Sequence, residues 1–174
     1  CKTVNLPKFD FKNHSRVFSG KTLTRKEGEI VILEGIHALN PSVVTLPDDQ
    51  TTRIYVSVRT RVEFDDGGLL HPEKIRLMRR MIRDTIYRDR EITETLKMFN
   101  SVQRGENDFI MPYKYRSTYD VDTFIPFEIG LYKSLLLDKT KNISPDERVA
   151  DIIKTLQKVE PLDISLVPQT SLIR

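Results

Sequence analysis

Glu29-Ile30-Val31-Ile32-Leu33-Glu34-Gly35 is an apolar run, rich in β-branched residues and closed by glycine. That is how a strand buried on both faces reads. Arg53-Ile54-Tyr55-Val56-Ser57-Val58 is a second run of the same kind. Between them, Asn40-Pro41 reads as the cap and start of a short helix. Residues 1–20 are mixed polar and aromatic and read as loop and short strand. Pro72 opens a helical stretch to about Arg88, and residues 92–103 and 127–139 form two more. Asp122 to Pro126 reads as a short strand stopped by proline, and Leu162 to Val167 as a last strand. Ser144-Pro145-Asp146-Glu147 has the form of a capping box, which predicts a helix to about Lys158, before Pro161. Strands alternating with helices predict an α/β domain with a largely parallel sheet flanked by helices.

The chain has 174 residues, enough for one domain or a large piece of one. Its hydrophobic share of 39% and charged share of 30% are those of an ordinary globular protein. A net charge of +3 permits an anionic ligand without demanding nucleic acid or a membrane surface. Cys1 is the sole cysteine, so neither an internal disulfide nor a cysteine metal cluster can form. This agrees with a cytoplasmic setting. The apolar runs are too short to span a bilayer, and no leader pattern is seen. A first residue that is not Met predicts that the chain begins inside a longer protein.

Four features bear on chemistry. The first is Glu34, at the end of the first apolar run. In open parallel sheets ligands gather at the carboxyl ends of strands, where a carboxylate can hold magnesium or its waters beside phosphates. Equally, Glu34 reads as the first solvated residue after a core strand.

The second is a row of arginines. At about 100° per residue, Arg76, Arg79, Arg80, Arg83 and Arg90 fall within an arc of about 100°. Ile75, Met78, Met81, Ile82 and Ile86 occupy other faces and can dock on a core. Solvated faces usually mix Lys, Glu and Arg, whereas this one holds no Lys between residues 75 and 90. Guanidinium forks suit phosphate oxygens, so the face points to an anion.

The third is Pro7-Lys8-Phe9-Asp10-Phe11-Lys12-Asn13-His14-Ser15-Arg16. It offers the parts of a pocket that stacks a base and hydrogen-bonds a sugar. On the residues alone, a hairpin with inward phenylalanines and a surface His14 is the simpler reading. The fourth, Ser19-Gly20-Lys21-Thr22, imitates the end of a Gly-x-x-x-x-Gly-Lys-Ser/Thr loop, but Ser15 stands where the first glycine belongs and no apolar strand precedes it. No other glycine-rich loop occurs among the seven glycines. His37 and His71 show no metal-ligand spacing, and Asp65-Asp66-Gly67-Gly68 reads as a turn.

Taken in this order, the pieces resemble the phosphoribulokinase and uridine kinase family of P-loop kinases. Leu6 to Arg16 is similar to that family's Pro-x-Tyr/Phe-Asp-Phe-x-x-His-Ser-Arg segment. Val31 to Pro41 resembles its acidic strand, and Arg76 to Asp84 the start of its mobile lid. Ser101 to Glu106, Ile110 to Pro112 and the closing Ser171 to Arg174 resemble elements of the bacterial uridine kinase-like branch.

The resemblance implies ATP-dependent phosphoryl transfer to the 5′-hydroxyl of a nucleoside, uridine or cytidine, with ATP and magnesium as cofactors. It implies no nucleic-acid or membrane partner and leaves homo-oligomerisation open. By the same resemblance Glu34 would help hold magnesium. Phe9, Asp10, Phe11, His14 and Arg16 would form the nucleoside pocket. Arg83 and Arg88 would act on phosphates from the lid, with Arg79 and Arg80 as helpers toward ATP. The chain then reads as the C-terminal part of one kinase domain. Its parts are a substrate segment and acidic strand over 1–70, a lid over 71–112, and the last strands and helices over 113–174.

The phosphate-binding loop and the catalytic aspartate of the family pattern precede residue 1, so the chain alone is expected to be inactive. A departure from the pattern is Asp89-Arg90, where a glycine is common after the arginine at 88. The alternative is a regulatory protein of the same fold that binds nucleotide without turnover.

Overall fold

The computed structural model describes residues 3–10, 13, 15–141, 143 and 146–171. The chain divides into two units, Cys1–Ala38 and Leu39–Arg174.

The first unit is built on a hairpin. β1 (Thr3–Asp10) and β2 (Ser15–Thr24) pair antiparallel from Thr3 opposite Thr24 to Asp10 opposite Ser15. These strands are longer than the loop and short strand expected of residues 1–20. Their register breaks between Asn5 and Pro7, where Ser19, Gly20 and Lys21 face Leu6 alone. Gly20 takes a φ of 72° in this bulge, and the Ser19 hydroxyl donates to the Leu6 carbonyl at 2.6 Å. The side chain thus satisfies an acceptor at the interrupted ladder. Ser19-Gly20-Lys21-Thr22 is therefore a strand bulge, in keeping with its rejection as a phosphate loop.

The run from Glu29 to Gly35 is not a strand. Residues 29–34 form no ladder, and Ile30 and Ile32 are 90% and 88% exposed. A strand exists only where neighbouring strands take its backbone N–H and C=O groups. Among the described residues no strand pairs with this run. Its β-branched composition sets which surface would be buried but does not supply the partner.

In the second unit, β3 (Ile54–Ser57) and β6 (Tyr119–Asp122) form a parallel pair, with Ile54 opposite Tyr119 and Ser57 opposite Asp122. β6 lies earlier than expected, because Pro126 and the turn at its start leave residues 123–127 irregular. Between β3 and β6 come a short hairpin and two helices, α1 (Pro72–Tyr87) and α2 (Ile92–Phe109). The hairpin joins β4 (Val62–Glu63) to β5 (Leu69–Leu70) through the Asp65–Gly68 turn, with Gly67 at φ 77°. α3 (Glu128–Thr140) and α4 (Glu147–Gln157) follow. Among the described residues, parallel pairing is confined to β3 and β6. The architecture is mixed helix and strand with a parallel sheet and several helices.

Three further expectations need correction. Asn40-Pro41 begins a turn in which Asn40 Oδ1 accepts from the Ser42 amide, rather than a helix. Leu162 to Val167 contains a 3-10 turn at Ile164–Leu166, closed by Asp163 accepting from the Ser165 amide. The cap of α4 is Asp146, which accepts from the Arg148 amide at 2.9 Å; Ser144 and Pro145 lie outside the described residues.

The core follows the helical periodicity. Ile75, Met78 and Met81 of α1 are fully buried, against Ile92, Leu96 and Phe99 of α2, Leu136 of α3 and Leu156 of α4. Ile82 is partly buried at its edge, whereas Ile86 is 53% exposed, on the last turn. Arg148 fastens α4 to α2 through the Leu96 carbonyl at 3.1 Å and Asn100 Oδ1 at 2.8 Å. Among the described residues no helix is long and apolar enough to cross a membrane.

Candidate functional site

The arginine face of α1 meets α2 across a hollow of about 250 Å³ lined by Arg76, Arg79, Arg80, Arg83, Phe99 and Glu106, among others. Helical spacing brings the four arginines to one side, and the apolar opposite side of α1 holds the helix in place.

These cations are held by three carboxylates. Arg76 pairs with Glu106 of α2 at 2.9 Å. Arg79 is clamped by Glu128, the first residue of α3, through two bonds of 2.7 and 2.8 Å, and donates to the Thr123 carbonyl at 2.6 Å. Asp84 collects the rest. Its carboxylate has no solvent exposure, and Arg80, Arg83, Arg88 and Arg90 stand 3.6, 3.3, 3.1 and 3.4 Å away. The Thr95 hydroxyl of α2 adds a contact at 3.3 Å. Six guanidiniums thus share three carboxylates, which leaves a surplus of three positive charges.

The electrostatics follow. Burial pushes the Asp84 carboxyl up, but the charges of Arg83 and Arg80 outweigh it, and the group is held below the usual carboxylate range. Arg80 moves down from its ordinary value, first through burial and then through repulsion by Arg83, Arg88 and Arg90. Its Nε is buried without a hydrogen-bond partner. Burial opposes the Arg79 cation too, yet its hydrogen bond to Glu128 and the charge of that group raise it overall. The Tyr132 phenol, buried and donating to Glu128 at 2.7 Å, is pushed up. Crowded guanidiniums with spare charge stabilise an incoming polyanion.

The side chain of Arg83 is 46% exposed and that of Arg88 is 47% exposed, so both retain donors toward solvent. Residue 89, which links them to Arg90, takes a left-handed φ of 48° although it is aspartate. The Arg88 and Arg90 amides both donate to the Asp84 carbonyl, at 3.2 and 3.0 Å. Backbone and side chain of one residue therefore gather both arginines.

The remaining sequence candidates lie in the first unit. Phe9 stands opposite Arg16 in the hairpin register and is 48% exposed. Asp10 accepts from the Asn13 backbone and side chain at 3.2 and 2.7 Å. The hairpin thus brings Phe9, Asp10 and Arg16 to one end. Phe11 and His14 lie outside the described residues. Glu34 is exposed, outside any strand or helix, and among the described residues no cluster of three metal-ligating side chains occurs.

Sequence reading missed Asp84, Glu106 and Glu128. For Asp84 the signal was present, since Arg80 and Arg88 lie four residues to either side. Glu106 and Glu128 come from other helices, and nothing local announces them.

The sequence pattern of the Phosphoribulokinase / Uridine kinase family matches residues 1–124, so α3 and α4 lie beyond the match. The chain is similar to the uridine kinase of Macrococcus caseolyticus strain JCSC5402, at 35% identity over 114 residues, which are 65% of this chain and 47% of that protein. It is 33% identical over 112 residues to the uridine kinases of Staphylococcus haemolyticus strain JCSC1435 and Staphylococcus carnosus strain TM300, covering 64% of this chain and 46% of each relative. The chain spans about half the length of these curated relatives. No solved structure gives a significant match. With the family pattern covering well over half of its residues, the chain belongs to the phosphoribulokinase and uridine kinase family.

Proposed function

We propose that the chain supplies the phosphate-handling lid and the nucleoside segment of an enzyme that transfers the γ-phosphoryl group of ATP to the 5′-hydroxyl of a nucleoside, uridine or cytidine. One observation carries the reading: four guanidiniums crowd the buried carboxylate of Asp84, so positive charge is left over beside the hollow that Arg80 and Arg83 line. Phosphoryl transfer is mostly positioning and charge neutralisation, and such a cluster supplies the second.

Within this proposal Arg83 and Arg88, the half-exposed pair, reach the transferring phosphoryl group, while Arg79 and Arg80 hold the wall behind it. Phe9, Asp10, Phe11, His14 and Arg16 take the nucleoside. Magnesium, when bound, would neutralise β- and γ-phosphate oxygens. Glu34 is its candidate protein ligand, and one carboxylate suffices for an ion that takes its other oxygens from phosphate and water. The 71–112 stretch acts as the lid, and the setting is cytoplasmic.

The 174 residues contain no Gly-x-x-x-x-Gly-Lys-Ser/Thr loop, so by itself the chain is expected to transfer no phosphate. The test has two arms. Calorimetric titration of the chain with tripolyphosphate is expected to show binding that Arg83→Ala weakens about tenfold, the loss of roughly one charge-assisted bond. A coupled assay is expected to show no uridine-dependent ATP turnover by the chain. Absence of polyphosphate binding sinks the arginine reading, and turnover sinks the expected inactivity.

A further inference from the structure

The hollow between α1 and α2 is lined by four arginines and, among the described residues, by one carboxylate, that of Glu106. Asp84 and Glu128, which hold Arg80 and Arg79, lie outside its lining. A carboxylate inside a hollow that suits a polyanion works against binding, by direct repulsion.

Glu106 is not a free charge. It stands 2.9 Å from Nη1 of Arg76, and the two side chains are 20% and 32% exposed. Both residues also border a cleft of about 700 Å³ beside the hollow, so their ion pair forms a bar between the two spaces. The bar is not what docks the helices. Ile75, Met78 and Met81 of α1 already pack with Ile92, Leu96 and Phe99 of α2, and Thr95 reaches Asp84. Ion pairs with this much access to water are weak, so an incoming phosphate can break this one. Arg79 differs, because its partner Glu128 has no exposure.

We infer that Glu106 is a built-in competitor for phosphate: its carboxylate holds the Arg76 guanidinium until a polyphosphate displaces it. Carboxylate and phosphate offer a guanidinium fork the same pair of oxygens, so one stands in for the other. Once the pair parts, Arg76 turns to the anion and the bar opens. Only an anion that reaches several arginines at once offsets both the broken pair and the repulsion. The inference rests on the polyphosphate reading above and adds the residue that restrains it.

Calorimetric titration of the full 174-residue chain and its variants with tripolyphosphate tests it. Glu106→Gln is expected to bind about tenfold more tightly than the unaltered chain, since Arg76 is freed to give one charge-assisted hydrogen bond. In an Arg76→Ala background the same change is expected to gain about threefold or less, because only repulsion is then removed. Asp108 is exposed on α2 and lies outside the lining of the hollow. Asp108→Asn is therefore expected to shift affinity by less than about twofold. That comparison leaves α1 untouched, so it decides the matter even if Arg76→Ala melts early. Unchanged affinity in Glu106→Gln, an equal gain with and without Arg76, or the same gain from Asp108→Asn overturns the inference. In each of those cases tripolyphosphate still binds, and the polyphosphate reading stands. Absence of binding by both the chain and its Glu106→Gln variant overturns both.

Discussion

Arg79 sets Nε and Nη2 at 2.7 and 2.8 Å from the two carboxylate oxygens of Glu128, a side chain with no exposure to solvent. The Ile125 amide and the Tyr132 hydroxyl complete the shell of Glu128 at 3.0 and 2.7 Å. The pair joins α1 to the start of α3, and every oxygen lone pair of importance is used. Removing Glu128 leaves the Arg79 cation unpaired and only 27% exposed, at a cost of about 3 kcal/mol, the low end for a buried pair. Glu128→Ala should therefore lower urea-unfolding stability by that order. The double replacement Arg79→Met, Glu128→Leu should cost clearly less than the single one. A loss below about 1 kcal/mol for Glu128→Ala would show that the clamp is not structural.

Asp84 allows a test in which stability and binding move in opposite directions. Asp84→Asn removes the carboxylate that faces Arg80, Arg83, Arg88 and Arg90 together. Stability should fall by about 2–3 kcal/mol, less than for a fully buried pair because those guanidiniums reach solvent. With one more unmet positive charge, the variant should gain more from tripolyphosphate, which binds only the folded state. Thermal melts with and without tripolyphosphate read both effects. An equal or smaller ligand-induced shift in the variant would count against a phosphate site at this cluster.

How much of this was legible beforehand depends on whether the deciding partner lies near in sequence. α1, α3 and β3 were readable because their apolar periods and their proline and capping signals are local. Residues 29–35 were misread because ladder partners are a tertiary matter, and no composition rule reveals whether Ile30 and Ile32 find them. Of the expected arginine face, Arg76, Arg79, Arg80 and Arg83 lie together on α1, whereas Arg90 lies beyond the helix end at Tyr87, and the neutralisation of these cations was not seen. Glu106 and Glu128 lie 30 and 49 residues from their arginines, beyond any helical spacing. The hollow between α1 and α2, and the cleft beside it, exist only once those helices are packed.

Asp89 holds a φ of 48°, a region where residues with a Cβ pay a steric cost that glycine avoids. Asp89→Gly should therefore leave stability unchanged or raise it by up to about 1 kcal/mol, strain relief competing with the greater freedom of the unfolded chain. Asp89→Val, which is β-branched, should lower it by about 1–2 kcal/mol. Equal melting temperatures for the valine and glycine variants would exclude a left-handed residue between Arg88 and Arg90.

Asp122 supplies the pH dependence. Burial works to raise its carboxyl, but the Thr60 hydroxyl and the amides of Arg59, Phe124 and Thr60 bring it down to about 2, against an ordinary 3.8. The folded state thus binds the proton less readily than the unfolded one. Its contribution is complete above about pH 4 and disappears as the pH falls through the window down to about 2. Asp122 is exposed, so solvent screening reduces the contribution to about 1 kcal/mol. In Asp122→Asn the stability lost between pH 4 and pH 2 should shrink by that amount, while the variant is the less stable protein at pH 7. Urea unfolding at pH 7, 4 and 2 measures it. An acid limb of unchanged slope would mean that the turn after β6 does not depend on this carboxylate.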